Sequence, residues 1–282
     1  MALYDKVLLT VDFDRTLTGP DGTVPQRNLD AIRYFMENGG TFTVNTGRSI
    51  PMALTNIFGK VPLNAPLLMY NGSAAYDVEE EKLTRFTPLD VDPMVMLYDL
   101  RDRFPHLNIE VQALDAHYLM TKNPGWEDYC SNNGCPWKYS RPDLIPGPFL
   151  KAAIYGEFRE NTVASMYEAT EEELAQFDEA LAYVDKVYGH KVEIFRACAR
   201  IADLHAKGVS KLRSARQLQQ ELGKEILVCV GDAENDATML DGADYAYCPS
   251  DGTVAARYEN VCPCGEGAVA DVIYNKIPNI LK

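Results

Sequence analysis

The chain has 282 residues, 46% of them hydrophobic, and 41 Asp plus Glu against 27 Lys plus Arg give a formal net charge of -14. That length accommodates two domains with cores of their own, and the acidic balance, without a basic patch, argues against nucleic acid and membrane surfaces as partners. The first apolar run, Val7 to Leu9, is too short for a signal peptide or a membrane span, so a cytoplasmic protein with reduced thiols is expected.

Val7–Val11 reads as a fully buried strand that ends in Asp12-Phe-Asp14-Arg-Thr16. The period of two in an extended chain aims Asp12 and Asp14 to the same side, and buried charge is costly enough to require a purpose. Two carboxylates at the carboxyl end of a buried strand suggest a divalent-metal site with a nucleophile or an acid/base beside it. Leu29, Ile32, Phe35 and Met36 then share one helical face, and Gly39-Gly40 supplies a stop. Residues 41–45 form a second strand running into Thr46-Gly47-Arg48-Ser49, where Ser49 is placed to cap a helix with Pro51 at its first position. A third strand over 65–70 closes at Asn71-Gly72, and the acidic run 79–81 reads as a solvated linker.

From 83 to 197 the pattern changes to mixed helices and hairpins. Asp92-Pro93 opens a helix, strands are predicted at 108–112, 118–121 and 149–155, and Thr170 with Glu173 makes a capping box ahead of Leu174, Phe177, Leu181 and Val184. Segments 184–188 and 191–195 around Gly189-His190 read as a hairpin. Most rings of the stretch Tyr118, Trp126, Tyr129, Trp137 and Tyr139 are expected in a core, with sugar stacking the alternative. Cys262-Pro-Cys264 has no companion pair at zinc-ribbon spacing, so no structural zinc is expected there.

The α/β pattern resumes with a helix over 208–222 that carries Lys211, and with an apolar strand over 226–230 that ends in Gly231-Asp232-Ala-Glu-Asn235-Asp236. Neighbouring strands in one parallel sheet would bring Asp12, Asp14 and Asp232 into one crevice at its carboxyl edge. Hard oxygen ligands of this kind suit magnesium, completed by water and a phosphate oxygen. The expected fold is a doubly wound α/β core, residues 1–82 and 198–282, with an inserted α+β cap at 83–197.

The ordered set Asp12-x-Asp14-x-Thr16, Thr46-Gly-Arg48, Lys211 and Gly231-Asp232-x-x-Asn235-Asp236 resembles the haloacid dehalogenase superfamily, and the cap's position resembles its type IIB, Cof-like sugar-phosphatase group. The resemblance covers nearly the whole chain. It implies a Rossmann-like core and a magnesium-dependent phosphatase acting on a small phosphomonoester, a sugar phosphate above all. It implies that Asp12 is the nucleophile, forming an aspartyl-phosphate, and that Asp14 is the acid/base. Thr46 and Lys211 would bind the phosphoryl group, and Gly47, Arg48, Asn71 and Gly72 would line the substrate site. Asp12, the Asp14 carbonyl and Asp232 would hold magnesium, with Asn235 and Asp236 completing the site directly or through water and Lys211. A phosphoryl-transferring mutase of the same fold, or a catalytically silent metabolite-binding regulator, are the alternatives. Two positions depart from the family pattern: Arg15 and Leu212 stand where glycine is usual, and the second makes Lys207 a competitor for the role of Lys211.

Overall fold

A computed structural model describes residues 2–156 and 168–281. Backbone contacts group the chain into two units, Met1–Gly47, Ile57–Arg85 and Ser210–Lys282 in the first, Arg48–Asn56 and Phe86–Val209 in the second. The strands in chain order are β1 (Val7–Val11), β2 (Thr41–Val44), β3 (Leu67–Met69), β4 (Ala74–Asp77), β5 (Lys82–Phe86), β6 (Asn108–Ala113) and β7 (His117–Leu119). They continue with β8 (Trp137–Tyr139), β9 (Phe149–Tyr155), β10 (Val192–Cys198), β11 (Ile201–Ala206), β12 (Ile226–Val230), β13 (Tyr245–Pro249) and β14 (Glu259–Val261).

The first unit is an α/β domain built on a sheet of order β14-β13-β12-β1-β2 in which every pairing is parallel. Its central strands are buried on both faces, β1 throughout and β12 from Leu227 onward, which is why VLLTV and ILVCV read as unbroken apolar runs rather than as alternations. The helix Gln26–Glu37 joins β1 to β2 and buries Ile32 and Phe35 of the expected apolar face, together with Ala31, while Leu29 and Met36 are half-buried. Because β1 is flanked by β2 on one side and by β12 on the other, the chain leaves the sheet in opposite directions from neighbouring strands, the switch point at whose carboxyl ends parallel sheets bind ligands.

The second unit is α+β, a six-stranded sheet of order β10-β11-β9-β6-β7-β8 that is antiparallel except for the β7–β8 pair. Its two faces have different company. Ile109 and Val111 of β6 and Ala152 and Ile154 of β9 pack with Leu97, Leu100, Phe177 and Val184 from the helices Pro93–Arg103 and Glu171–Tyr188. Ala153 and Tyr155 of β9, one residue out of phase, pack instead with Trp126 and Cys130 of the helix Pro124–Asn132.

Four sequence expectations differ from the structure. Residues 184–188 are not a strand: the helix Glu171–Tyr188 runs through them, continuing the spacing begun at Leu174, and the hairpin is β10–β11. The first unit therefore resumes only at Ser210, since β11 pairs with β9 and belongs to the second. Residues 79–81 are not a linker but the turn between β4 and β5, where the Asp77 carboxylate accepts hydrogen bonds from the Glu79 and Glu80 amides at 2.9 and 3.0 Å. The helix after Thr46 begins at Ile50, making Pro51 its second residue, and the Ser49 hydroxyl lies 2.8 Å from His117 Nε2. The aromatic stretch divides: Trp126 and Tyr118 are core, while Tyr139 is 42% exposed.

Candidate active site

The site begins where β1 and β12 stop. Asp12 N–H donates to the Val230 carbonyl at 2.9 Å, so the last ladder bond of the β1–β12 pair fixes the backbone from which the Asp12 carboxylate projects. The chain then turns sharply, with Arg15 at φ 56°, a left-handed conformation that explains why glycine is usual at this position. The turn brings the Thr16 hydroxyl to Asp232 Oδ1 at 3.1 Å, across 216 positions of sequence. Thr16 belongs to the Asp12-x-Asp14-x-Thr16 motif, whose spacing carries no sign of this partner.

Lys211 sits in the first turn of the helix Lys211–Glu221, whose N-cap is Ser210 accepting from Arg213 N–H. It is completely buried, and its ammonium donates to Asp12 Oδ1 at 2.5 Å and to Asp236 Oδ1 at 2.7 Å. Asn45, a residue the sequence reading passed over, donates from Nδ2 to the Lys211 carbonyl at 2.9 Å and so ties the end of β2 to that turn. Lys207 lies outside this arrangement: it belongs to the second unit and pairs with Glu193 at 3.3 Å, half exposed.

Asp236 organises the loop after β12. Its Oδ2 accepts the Asp232 and Ala233 amides at 3.0 and 3.2 Å, and Oδ1 accepts Lys211. Asp236 therefore caps this turn, and Asn235 is half-buried within it. One carboxylate oxygen from each of Asp12, Asp232 and Asp236 lies within 4.8 Å of the others, and all three residues are buried.

The electrostatics follow from this crowding. Burial pushes the Asp12 carboxyl well above the usual range, and Asp236, Asp232 and Asp14 add to the effect while Lys211 opposes it. Burial and Asp236 raise Asp232 to about 7 against the pull of Thr16, Lys211 and Arg15. Desolvation works against the Lys211 charge, but Asp12 and Asp236 outweigh it and hold the ammonium above the ordinary lysine value. One buried ammonium among several carboxylates leaves a deficit of positive charge.

Thr46 and Asn71 come together through the backbone: Thr46 N–H donates to the Leu68 carbonyl at 2.9 Å and Asn71 N–H to the Thr46 carbonyl at 3.0 Å. Both are buried. A side-chain carbon at Gly47 would meet Asn71 Oδ1 at 2.9 Å, and one at Gly72, whose φ is 98°, would lie 2.4 Å from the Ser210 carbonyl oxygen. Gly72 thus lets the 70–72 turn lie directly against the residue that caps the Lys211 helix. Asp14 is exposed on the turn after β1. Arg48 groups with the second unit, where Nη1 donates to Asn133 Oδ1 at 3.2 Å.

Comparison with known proteins agrees with this geometry. A family model for haloacid dehalogenase-like hydrolases matches residues 9–258. The chain is 26% identical over 237 residues to an HMP-PP phosphatase of Escherichia coli O6:H1, covering 83% of this chain and 80% of the relative. It is 22% identical over 242 residues to the 5-amino-6-(5-phospho-D-ribitylamino)uracil phosphatase YcsE of Bacillus subtilis, covering 85% and 82%. Its fold is that of the subclass IIB sugar phosphatase BT4131, with a TM-score of 0.74 at 16% identity over 96% of this chain and 99% of the other. The phosphatase class expected for an enzyme of this pattern is the class of these relatives. Motifs, fold and family model converge, and the chain belongs to the haloacid dehalogenase-like hydrolases.

Proposed function

We propose that the protein is a magnesium-dependent phosphatase that hydrolyses a small phosphorylated metabolite through an aspartyl-phosphate on Asp12. The observation that carries this reading is Lys211, buried and bridging Asp12 and Asp236 beside Asp232. The donor set suits magnesium: hard carboxylate oxygens, buried together, with too little positive charge among them. Both oxygens of Asp236 already accept hydrogen bonds, whereas Asp12 and Asp232 each engage a partner through only one oxygen in the bonds described above. Asp12 and Asp232, with the Asp14 carbonyl, would therefore hold the ion, and Asp236 would act by positioning Lys211 and the Asp232 backbone. When bound, magnesium supplies charge that offsets repulsion between the Asp12 carboxylate and the anionic phosphate.

The remaining chemistry belongs to side chains. Asp12 attacks phosphorus in line as the bond to the leaving alcohol breaks, and Asp14 gives that alkoxide its proton. Asp14, now a carboxylate, takes a proton from water as the water oxygen attacks phosphorus, which frees Asp12 and inorganic phosphate. Asp14 is suited to this exchange because it is exposed on the turn after the strand. Lys211 neutralises charge on Asp12 and the transferring group, Thr46 donates to a phosphoryl oxygen, and Gly47, Asn71 and Gly72 shape the adjoining wall.

The substrate class rests on the relatives and on the type IIB resemblance, so sugar phosphates come first and phosphorylated pyrimidines second. The α+β module over Phe86–Val209 is proposed as the inserted cap that supplies specificity, and the cytoplasm as the location. Among the described residues no helix is long and apolar enough to cross a membrane. The test is release of inorganic phosphate from a panel of sugar phosphates, pyrimidine mono- and diphosphates and other phosphorylated metabolites, with magnesium and with chelator. Magnesium-dependent release from members of this panel is expected; none from any member would overturn the reading.

A further inference from the structure

The second unit contains a buried cluster that the proposed chemistry does not use. Glu110 on β6 and His117 on β7 point to the face covered by the helix Pro124–Asn132, because their neighbours Val111 and Tyr118 point to the other. That helix carries Cys130. Gly134, at φ 66°, reverses the chain after it, so that Cys135 N–H donates to the Cys130 carbonyl at 2.9 Å and the second thiol returns beside the first. One ligand atom from each of His117, Cys130 and Cys135 lies within 4.8 Å of the others, and all three residues are buried.

We propose that this cluster binds a thiophilic divalent ion of the zinc type, held by His117 Nδ1 and the Cys130 and Cys135 thiolates, with the Glu110 carboxylate beside the imidazole. The His117–Cys130 separation suits adjacent ligands of one zinc-type ion. Zinc-to-ligand bonds of about 2.3 Å to sulfur and about 2.0 Å to nitrogen imply a ligand-to-ligand edge of about 3.5 Å for S···N. His117 Nδ1 lies 3.7 Å from Cys130 Sγ and 3.3 Å from Glu110 Oε2. The surrounding contacts also orient the ligands. His117 Nε2 lies 2.8 Å from Ser49 Oγ, a contact that leaves Nδ1 facing the thiols, and the Trp126 indole N–H donates to Glu110 Oε2 at 2.7 Å. Cysteines alone are common in cores as small apolar residues. Here they share the core with an imidazole whose Nδ1 faces Cys130 and whose charge the Glu110 carboxylate balances.

The experiment is cobalt titration of the fully reduced, metal-stripped chain in excess magnesium, which occupies the carboxylate site. Thiolate-to-cobalt charge transfer then reports sulfur ligation alone. One equivalent should saturate this absorbance, and zinc should abolish it. Ser49→Ala should weaken binding roughly 10–100-fold, as the loss of an outer hydrogen-bond partner does. Cys130→Ser and Cys135→Ser should weaken it at least as much, with circular dichroism showing whether each variant is folded. Wild-type chain with reduced thiols and no charge-transfer band would overturn the proposal whatever the variants do. So would a band that survives in a folded Cys130→Ser/Cys135→Ser double variant, or a Cys130–Cys135 disulfide in the isolated protein that, once reduced, takes up no metal.

Discussion

Lys211 Nζ lies 2.5 Å from Asp12 Oδ1, although 199 positions separate the two residues. Removing one member of a buried ion pair typically costs about 3–5 kcal/mol, since the partner is left charged and unsolvated. Lys211→Ala should therefore lower stability by that order and reduce kcat severely. Lys207→Ala removes only a half-exposed pair and should change stability by less than about 0.5 kcal/mol, with turnover largely kept. Urea denaturation and steady-state kinetics on both variants check this, and the reverse pattern would assign the role to the wrong lysine.

The two carboxylates after β12 should separate in their effects. Asp232 has an oxygen available for a metal, so Asp232→Asn should raise the magnesium concentration needed for half-maximal activity by at least ~10-fold. Asp236 already accepts Lys211 and two amides, so Asp236→Asn should lower stability and kcat with a smaller change in magnesium requirement. Equal magnesium shifts in both variants would make Asp236 a direct ligand.

Arg15 occupies a left-handed conformation at φ 56° that glycine adopts without steric cost. Relief of a strain of about 1–2 kcal/mol, less the greater freedom of glycine in the unfolded chain, should let Arg15→Gly gain up to ~1 kcal/mol. A urea midpoint unchanged or lowered would mean that Arg15 makes a compensating contribution through its proximity to Asp232.

His205 on β11 is fully buried, and burial together with the neighbouring Lys151 ammonium holds its imidazole well below the ordinary value of 6.5, against a hydrogen bond at the Leu150 backbone. The folded state keeps it neutral while the unfolded chain protonates near 6.5. Stability is thus unaffected by this group above that pH and falls as pH drops from there toward the folded value. Replacing it in His205→Gln should remove that component, so the difference in unfolding free energy between wild type and variant should depend on pH below about 6.5 by up to about 1.4 kcal/mol per unit. A difference constant between pH 7 and 5 would contradict the assignment.

Much of the first unit was legible in the sequence because its signals are local. Buried parallel strands write themselves as unbroken apolar runs, and Asp12 and Asp232 follow directly at their ends. The contacts of Thr16 with Asp232 and of Asn45 with the Lys211 carbonyl were not legible, since each joins segments more than 160 positions apart through a single hydrogen bond. The second unit was harder for a related reason: residues 184–188 suit a strand by composition, and only the continued packing of the helix below them decides otherwise. The grouping of Glu110, His117, Cys130 and Cys135 depends on sheet register and a glycine turn, neither of which spacing alone reveals.

An acid-quenched single turnover of Asp14→Asn with an activated aryl phosphate shows whether the phosphoryl group passes through Asp12. An activated leaving group needs no proton from position 14, while hydrolysis of the intermediate loses its base, so the phosphoryl group should accumulate on the enzyme. Peptide mapping should place about one phosphoryl group per chain on Asp12, formed in a burst and absent when Asp12→Asn is added to the same variant. Full release of phosphate without any phosphorylated Asp12, or a phosphoryl group mapped to another residue, would contradict the mechanism.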